Sequence, residues 1–253
     1  QVKSLAKPSP KDNEILLKVH ASAVTSGDCR LRRADPFAVR LLFGLFRPKK
    51  NVLGGVFSGV VESVGKNVTK FKVGDEVFGS SYPNFGAYAE FVSVPASAPL
   101  AIKPKNLSHE EAAALPFGGM TALHFLQKAN IQPGQKVLIY GASGAVGTAA
   151  VQIAKYFGAH VTGVCSTANV ELVKLLGADE VIDYTQTDFT EQAGQFDVVY
   201  ETVNKASVSS CVKALKTNGV LILGAAMISE MLQGAWASMT GNKKVISGVT
   251  LET

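Results

Sequence analysis

The run Gly141-Ala142-Ser143-Gly144-Ala145-Val146-Gly147 carries the clearest chemistry in the chain. Ala142, Gly144 and Gly147 hold the three positions of a G-x-G-x-x-G turn, with alanine replacing the first glycine. A turn of this kind cradles a diphosphate. Gly144 lets the backbone come close to the phosphates, and Gly147 lets the following helix pack against the preceding strand. The helix opening at Ala145 and Val146 points free amides and its positive dipole end at the same anion. The Ser143 hydroxyl adds a donor. A glycine-rich turn that only allows tight packing is the alternative. Its placement between an apolar strand and an amphipathic helix, in a βαβ unit of about thirty residues, favours the ligand role.

The second half of that unit asks which dinucleotide is held. NAD sites place an Asp or Glu about 20 residues after the first glycine, on the ribose 2′-hydroxyl. Here that count reaches Val164-Cys165-Ser166-Thr167-Ala168-Asn169, and the first acid beyond the strand is Glu171. A carboxylate would repel a 2′-phosphate, whereas Ser166, Thr167 and Asn169 offer neutral donors. The expected cofactor is therefore NADPH rather than NADH. No Arg or Lys sits in this loop, and Lys174 falls on the next helix. The same Ser-Thr-x-Asn run also suits the cap of that helix, a role compatible with ligand binding.

Two kinds of patterning must position these residues. The first hundred residues read as short strands separated by Gly, Asn and Pro: Glu14 to Ala21, Val60 to Val64, a turn at Gly74-Asp75 followed by a strand, and Ala87 to Val94. Such spacing indicates an antiparallel, barrel-like domain. Ser108 and Glu111 then form a capping box that opens a helix. From Gln135 onward strands alternate with helices. The strands are expected at Lys136 to Tyr140, His160 to Cys165, Glu180 to Asp183, Phe196 to Tyr200, Gly219 to Gly224 and Lys244 to Gly248. The helices are expected at Ala145 to Phe157, Val170 to Leu176 and Ser207 to Leu215. That alternation predicts a parallel sheet covered on both faces. Leu31 to Lys50 stands apart, with Arg32, Arg33, Arg40, Arg47, Lys49 and Lys50 set among Phe37, Leu41, Leu42, Phe43, Leu45 and Phe46. It reads as a surface helix or loop with one buried face, including a lid over a cleft, or as a basic amphipathic segment lying on a membrane.

The bulk numbers bound the function. In 253 residues, 47% are apolar and 18% charged, an ordinary globular composition. A net charge of +5 suits a phosphate-bearing ligand, and without an aromatic-interleaved basic stripe it does not argue for nucleic acid. No apolar run is long enough to span a membrane. The three cysteines, Cys29, Cys165 and Cys211, are scattered and fit a reducing compartment, here taken as the cytoplasm. The four histidines, His20, His109, His124 and His160, have no Cys or Glu at ligand spacing, so no metal site is expected.

Taken with LGGVFSGVVESVGKNVTKFKVGDEVFG, FGAYAEFVSV, AAALPFGGMTALHFL, LLGADEVIDY and FDVVYETV, the glycine turn gives a resemblance that covers nearly the whole chain. The chain resembles the zinc-free quinone oxidoreductase branch of the medium-chain dehydrogenase/reductase superfamily, the zeta-crystallin-like enzymes. The resemblance implies an α/β architecture: an incomplete chaperonin-10-like (GroES-like) β-barrel domain over residues 1–107 and a Rossmann doubly wound parallel-sheet domain over 108–253, with NADPH in the cleft between them. Family members extend beyond both ends of this chain, so it is expected to be a fragment lacking part of the barrel. Zinc alcohol dehydrogenases of the superfamily carry Gly-His-Glu where this chain has Gly54-Gly55-Val56, their catalytic cysteine falls near Thr25, and their four-cysteine lobe has no counterpart here.

Without a metal to polarise an oxygen, the substrate is expected to be activated already: a quinone or an α,β-unsaturated carbonyl that takes hydride directly. The resemblance places Thr25 at the catalytic position, although many members carry asparagine there, and gives Asp28 a structural role. It places Thr121 by the nicotinamide half, Tyr184 near the adenosine phosphate, and Thr202, Val203 and Gly224 along the cofactor cleft. Two other functions stay open, a non-catalytic NADPH-binding structural or interaction protein and an enoyl-thioester reductase. A homodimer joined at the Lys243 to Gly248 edge is also expected, and stable membrane insertion is not.

Overall fold

The computed structural model describes residues 2–35, 37–240 and 242–248. The chain divides into two compact units that meet between Phe117 and Gly118.

The first unit is built on an antiparallel sheet of β1 (Glu14–Ser22), β2 (Val56–Val64), β3 (Glu76–Ser80), β4 (Phe91–Pro95) and β5 (Leu100–Ile102), in the order β4-β1-β2-β3-β5. Alternating side chains supply its core: Ile15 and Leu17 from β1, Phe57 and Val61 from β2, Val77 from β3, and Val92 and Val94 from β4. Between β1 and β2 lie two short helices, α1 (Ser26–Arg33) and α2 (Ala38–Phe43). Two strands differ from the sequence expectation. β2 starts four residues early, because Gly59 lets it run close past β1; a Cβ there would sit 2.2 Å from the Lys18 carbonyl oxygen. The expected strand at Ala87 starts only at Phe91, because Ala87 and Tyr88 donate their amides to Gly54 and Leu53 rather than to the sheet.

Helix α3 (His109–Ala129) opens on the expected capping box, with Glu111 N donating to Ser108 Oγ at 3.1 Å and Ser108 N to Glu111 Oε2 at 2.8 Å. The division between the units falls within this helix.

The second unit holds six parallel strands: β6 (Lys136–Tyr140), β7 (His160–Cys165), β8 (Glu180–Asp183), β9 (Phe196–Glu201), β10 (Leu215–Leu223) and β11 (Lys244–Ser247). Their order is β11-β10-β9-β6-β7-β8. Helices α4 (Ala145–Tyr156), α5 (Val170–Leu175), α6 (Val208–Ala214) and α7 (Ile228–Thr240) connect them. Both faces are buried. Val137 and Ile139 of β6 pack with Phe125, Leu126 and Val151, while Leu138 joins Val199, Phe196 and Leu221 on the other side. The strand order reverses between β6 and β9, the place where such sheets open a crevice at their carboxyl ends. The expected Rossmann span runs to Thr253; residues 249–253 lie outside the described ones. Among the described residues no helix is long and apolar enough to cross a membrane.

In the first unit, His109 at the start of α3 stacks on His20, ring centroids 4.5 Å apart. Its Nδ1 lies 2.8 Å from Ser58 Oγ and its Nε2 3.5 Å from Glu76, which also meets Lys103 at 3.2 Å. Burial, then the neighbouring His20, lower the His109 pKa, with Lys103 adding to them and Glu76 and Glu110 opposing. The neutral ring is therefore the folded form, and stability is lost as pH falls below the unfolded value of about 6.5. His109→Gln is expected to flatten the drop in melting temperature between pH 7 and pH 5. Parallel melting curves for parent and variant would refute this.

Candidate functional site

The diphosphate turn begins at Gly141, whose φ of +84 and lack of a side chain are both required. A Cβ there would meet Thr202 Oγ1 and Val203 Cγ1 at 2.7 Å. The amides of Gly141 and Ala142 both donate to the Val164 carbonyl at 3.0 Å, and that of Gly144 donates to Gly141 O. These three amides brace the turn. The donors left for an anion come from Ser143 and from Ala145, Val146 and Gly147, which form the first turn of α4 beyond an N-cap, Gly144, with no side-chain cap. Ala142 is fully buried and packs beneath the turn. Gly147 brings α4 onto β6: a Cβ would lie 2.1 Å from Gly141 O. From the other side, Gly118 of α3 reaches the Ala145 carbonyl, which a Cβ would approach to 2.1 Å. Thr121, three residues along on the same face of α3, is 9% exposed.

Tyr140, Gly141, Ser143, Gly144, Cys165, Ser166, Asn169, Tyr184, Val203 and Lys205 line a groove of ≈ 570 Å³ over this turn. Added volume at Gly144 would meet only Gly141 O, at 3.4 Å, so the groove stays open where phosphates would lie. Asn169 Nδ2 donates to Ser166 Oγ at 3.1 Å, which orients both side chains. Neither of them caps a helix through its side chain, so the capping role expected for this loop is absent. Thr167 is drawn off: its hydroxyl donates to Asp183 Oδ2 at 2.5 Å, outside the groove lining. That hydrogen bond, with those from Thr185 and Gln186, holds the Asp183 carboxyl below its usual range. Tyr184 stands half-exposed beside the groove, its amide fixed to Cys165 O at 3.1 Å. Burial raises the Cys165 thiol pKa.

Sequence reasoning missed the cation. Lys205 lines the groove and is held there by Glu201, a carboxylate only 1% exposed at the end of β9. Glu201 accepts from the amides of Val203, Asn204 and Lys205 at 3.3, 2.7 and 3.0 Å. It thereby folds the loop that presents Val203 and Lys205. The signal was in the sequence, a lysine four residues past an acid that ends an apolar strand. Thr202 commits its hydroxyl to Tyr140 O at 2.8 Å and so ties β9 to β6. Gly224 follows β10, where a Cβ would strike the Tyr200 ring at 2.7 Å.

A second constellation lies in the first unit. Thr25 is the N-cap of α1 and forms a capping box with Asp28. Its hydroxyl donates to Asp28 Oδ2 at 2.7 Å and accepts from Asp28 N at 3.2 Å. Asp28 is 2% exposed and also accepts from Thr25 N and Gly54 N, both at 3.1 Å. The Tyr82 hydroxyl lies 3.1 Å from Thr25 Oγ1. Thr25 has one proton, given to the acceptor-only carboxylate, so Tyr82 donates and Thr25 accepts. Tyr82 also fills the space before Gly55: a Cβ on Gly55 would fall 2.0 Å from Tyr82 Cζ. Tyr88 packs on Gly54 in the same way, and burial, with Asp28 beside it, raises its pKa. Neither tyrosine was singled out from sequence, because the turn that returns them to Gly54-Gly55 is a tertiary contact. Among the described residues, no three His, Cys, Asp or Glu side chains converge as a metal would require.

Comparison with known proteins agrees with this geometry. The family model for the alcohol dehydrogenase GroES-like domain matches residues 11–105, and that for zinc-binding dehydrogenase matches 145–253. A 2-methylene-furan-3-one reductase of Solanum lycopersicum is 38% identical over 229 residues, covering 87% of this chain and 57% of the relative. A chloroplastic quinone-oxidoreductase homolog of Spinacia oleracea is 34% identical, covering 95% and 74%. The quinone oxidoreductase from Coxiella burnetii superposes with a TM-score of 0.87 at 29% identity, over 98% of this chain and 78% of that one. The Escherichia coli quinone oxidoreductase complexed with NADPH gives 0.78 at 26%, over 98% and 76%. The chain thus spans little more than half the length of the tomato relative.

Replacing Gly147 tests the turn. Alanine is the better helix former by about 1 kcal/mol, but its Cβ would overlap rigid backbone at 2.1 Å. Gly147→Ala is expected to destabilise by about 1–3 kcal/mol net in urea unfolding. A neutral or stabilised variant would show that α4 does not approach β6 this closely.

Proposed function

The chain belongs to the medium-chain dehydrogenase/reductase superfamily, and from that premise we propose that it is the core of an NADPH-dependent reductase of quinones and α,β-unsaturated carbonyls working without zinc. The observation that carries the reading is the Tyr82 ring lying against Gly55, with its hydroxyl on Thr25. That arrangement fills the space in which a side chain at Gly55 would reach a metal, and it sets a phenol hydroxyl there instead.

The groove residues suit NADPH. Ser143 and the amides at the start of α4 take the diphosphate, and Ser166, Asn169, Tyr184 and Lys205 surround its adenosine end without a carboxylate in the lining. Lys205 supplies the positive charge that a 2′-phosphate requires. Thr121, Thr202, Val203 and Gly224 belong to the nicotinamide half. When bound, the reduced nicotinamide supplies the hydride. On substrate binding the Tyr82 hydroxyl turns its single proton from Thr25 Oγ1 to the substrate oxygen, on which negative charge grows. Thr25 holds that hydroxyl in place, and Asp28 holds Thr25. Thr25 is thus a positioning residue, because its own proton is taken by the carboxylate. The product oxygen takes its proton from water.

Among the described residues β11 ends the six-stranded order and offers an edge that a second copy would pair with, in line with a homodimer. The three cysteines are free thiols, in line with a reducing compartment such as the cytoplasm.

Activity is tested by NADPH oxidation with 1,4-benzoquinone, 9,10-phenanthrenequinone and short enones. Turnover is expected, and Tyr82→Phe is expected to lower kcat by on the order of 10²-fold without changing the Kd for NADPH. Tight NADPH binding without turnover would select the non-catalytic reading, and activity on crotonyl-CoA alone the thioester reductase. In the same assay Lys205→Ala is expected to raise the KM for NADPH about tenfold, the value of one charge-assisted hydrogen bond, and to leave that for NADH unchanged. An equal rise for both cofactors would remove Lys205 from the 2′-phosphate.

A further inference from the structure

The connection between β1 and β2 carries seven cations, Arg30, Arg32, Arg33, Arg40, Arg47, Lys49 and Lys50, against two acids, Asp28 and Asp35. All seven are exposed, and none forms an ion pair among the described residues. Asp28 is buried and spent on Thr25 and Gly54, so one exposed acid opposes them.

Large apolar side chains stand out among these charges. Phe37 and Leu41 are each 66% exposed, Leu45 is 45% and Phe46 is 93%. Leu45 and Phe46 lie at the tip of a built loop. Lys49 N donates to Phe43 O at 2.8 Å and closes it, and Gly44 N donates to Arg40 O at 2.9 Å at its start. Gly44 has a φ of +121, and a Cβ there would collide with Arg47 O at 2.0 Å, so the loop is tight and needs glycine. Its base is mounted on the core: the Phe43 ring meets Phe85 edge-on at 5.8 Å, and Phe85 is 5% exposed. The loop thus holds Phe46 and Leu45 outward on a fixed support, with Arg40, Arg47, Lys49 and Lys50 on its flanks.

Arg40 lies over the Phe37 ring, 5.8 Å from its centroid, and a protruding aromatic followed in the chain by cations without ion-pair partners matches one chemistry, a surface with phosphates and carboxylates outside and hydrocarbon beneath. A second copy of the same loop is disfavoured, because it would set cations against cations. A nucleic acid duplex would engage the charges through its phosphates and leave Phe46 and Leu45 in water, and a single strand would stack a base on Phe46 but leave Leu45 in water. We propose that this loop docks the protein on an anionic phospholipid bilayer, with Phe46 and Leu45 at the headgroup–acyl boundary and the flanking Arg and Lys against the lipid headgroups.

The test is co-sedimentation with vesicles of phosphatidylcholine, with or without about one-third phosphatidylserine. Binding is expected to be on the order of tenfold stronger with phosphatidylserine and to fall as salt is raised. Phe46→Asp and, separately, the double change Arg47→Glu with Lys49→Glu are each expected to abolish it, while far-ultraviolet circular dichroism and the Kd for NADPH stay at parent values. No preference for phosphatidylserine, or undiminished binding by both variants, would overturn the proposal. So would self-association in sedimentation velocity that Phe46→Asp reverses while no vesicle binding is seen. Capture of an oligonucleotide that is insensitive to Phe46→Asp, again without vesicle binding, would assign the charges to nucleic acid.

Discussion

The approach of α4 to the end of β6 sets the geometry of the second unit. It depends on hydrogen atoms standing where side chains would be: Gly147 over Gly141 O, Gly118 against Ala145 O, and Gly141 under Thr202 and Val203. Each contact is with backbone or with a β-branched side chain, which cannot move aside cheaply. Together they place an uncapped helix N-terminus over the crevice where the strand order reverses. Thr202 and Glu201 then extend the same edge, one by binding Tyr140 O, the other by folding the loop that carries Lys205.

The first unit solves a different problem with similar means. A buried carboxylate, Asp28, is paired with donors and not with a cation. It takes two amides and one hydroxyl, enough to hold a charge away from water. The helix cap it forms with Thr25 is a local device. What makes it part of a site is the Tyr82 ring against Gly55. The glycine pair admits two tyrosines, and the tyrosines fix the directions of the hydroxyls around Thr25.

Much of this was legible in the sequence. Five of the six expected parallel strands lie within one residue of their observed ends, because each is a continuous apolar run bounded by Gly, Asp or a helix cap. β10 begins earlier than expected because the polar run of half-buried Lys216 and exposed Thr217 and Asn218 still extends it. Helix α7 and strand β5 were not anticipated: one is a helix with Met231, Leu232 and Trp236 exposed, the other is three residues long. Of the donors read from the β7 loop, Ser166 and Asn169 line the groove. Thr167 does not, because Asp183 on the neighbouring strand captures its hydroxyl, and nothing in the local spacing announces that pairing.

The sequence by itself determined the elements and the glycine turn, because strand and helix periods and the demand for a missing side chain are local properties. It also settled the absence of an acid at the end of β7, which is a matter of composition in one loop. Only the tertiary structure decided which polar groups remain available. The amides of Gly141 and Ala142 and the hydroxyls of Thr167 and Thr202 find partners distant in sequence, while the Thr25 proton goes to Asp28 within its own helix cap. Lys205 and Tyr82 reach their sites through a buried carboxylate and a pair of glycines. A hydrogen bond satisfies one donor once, and which neighbour takes it depends on distances that the order of residues does not contain.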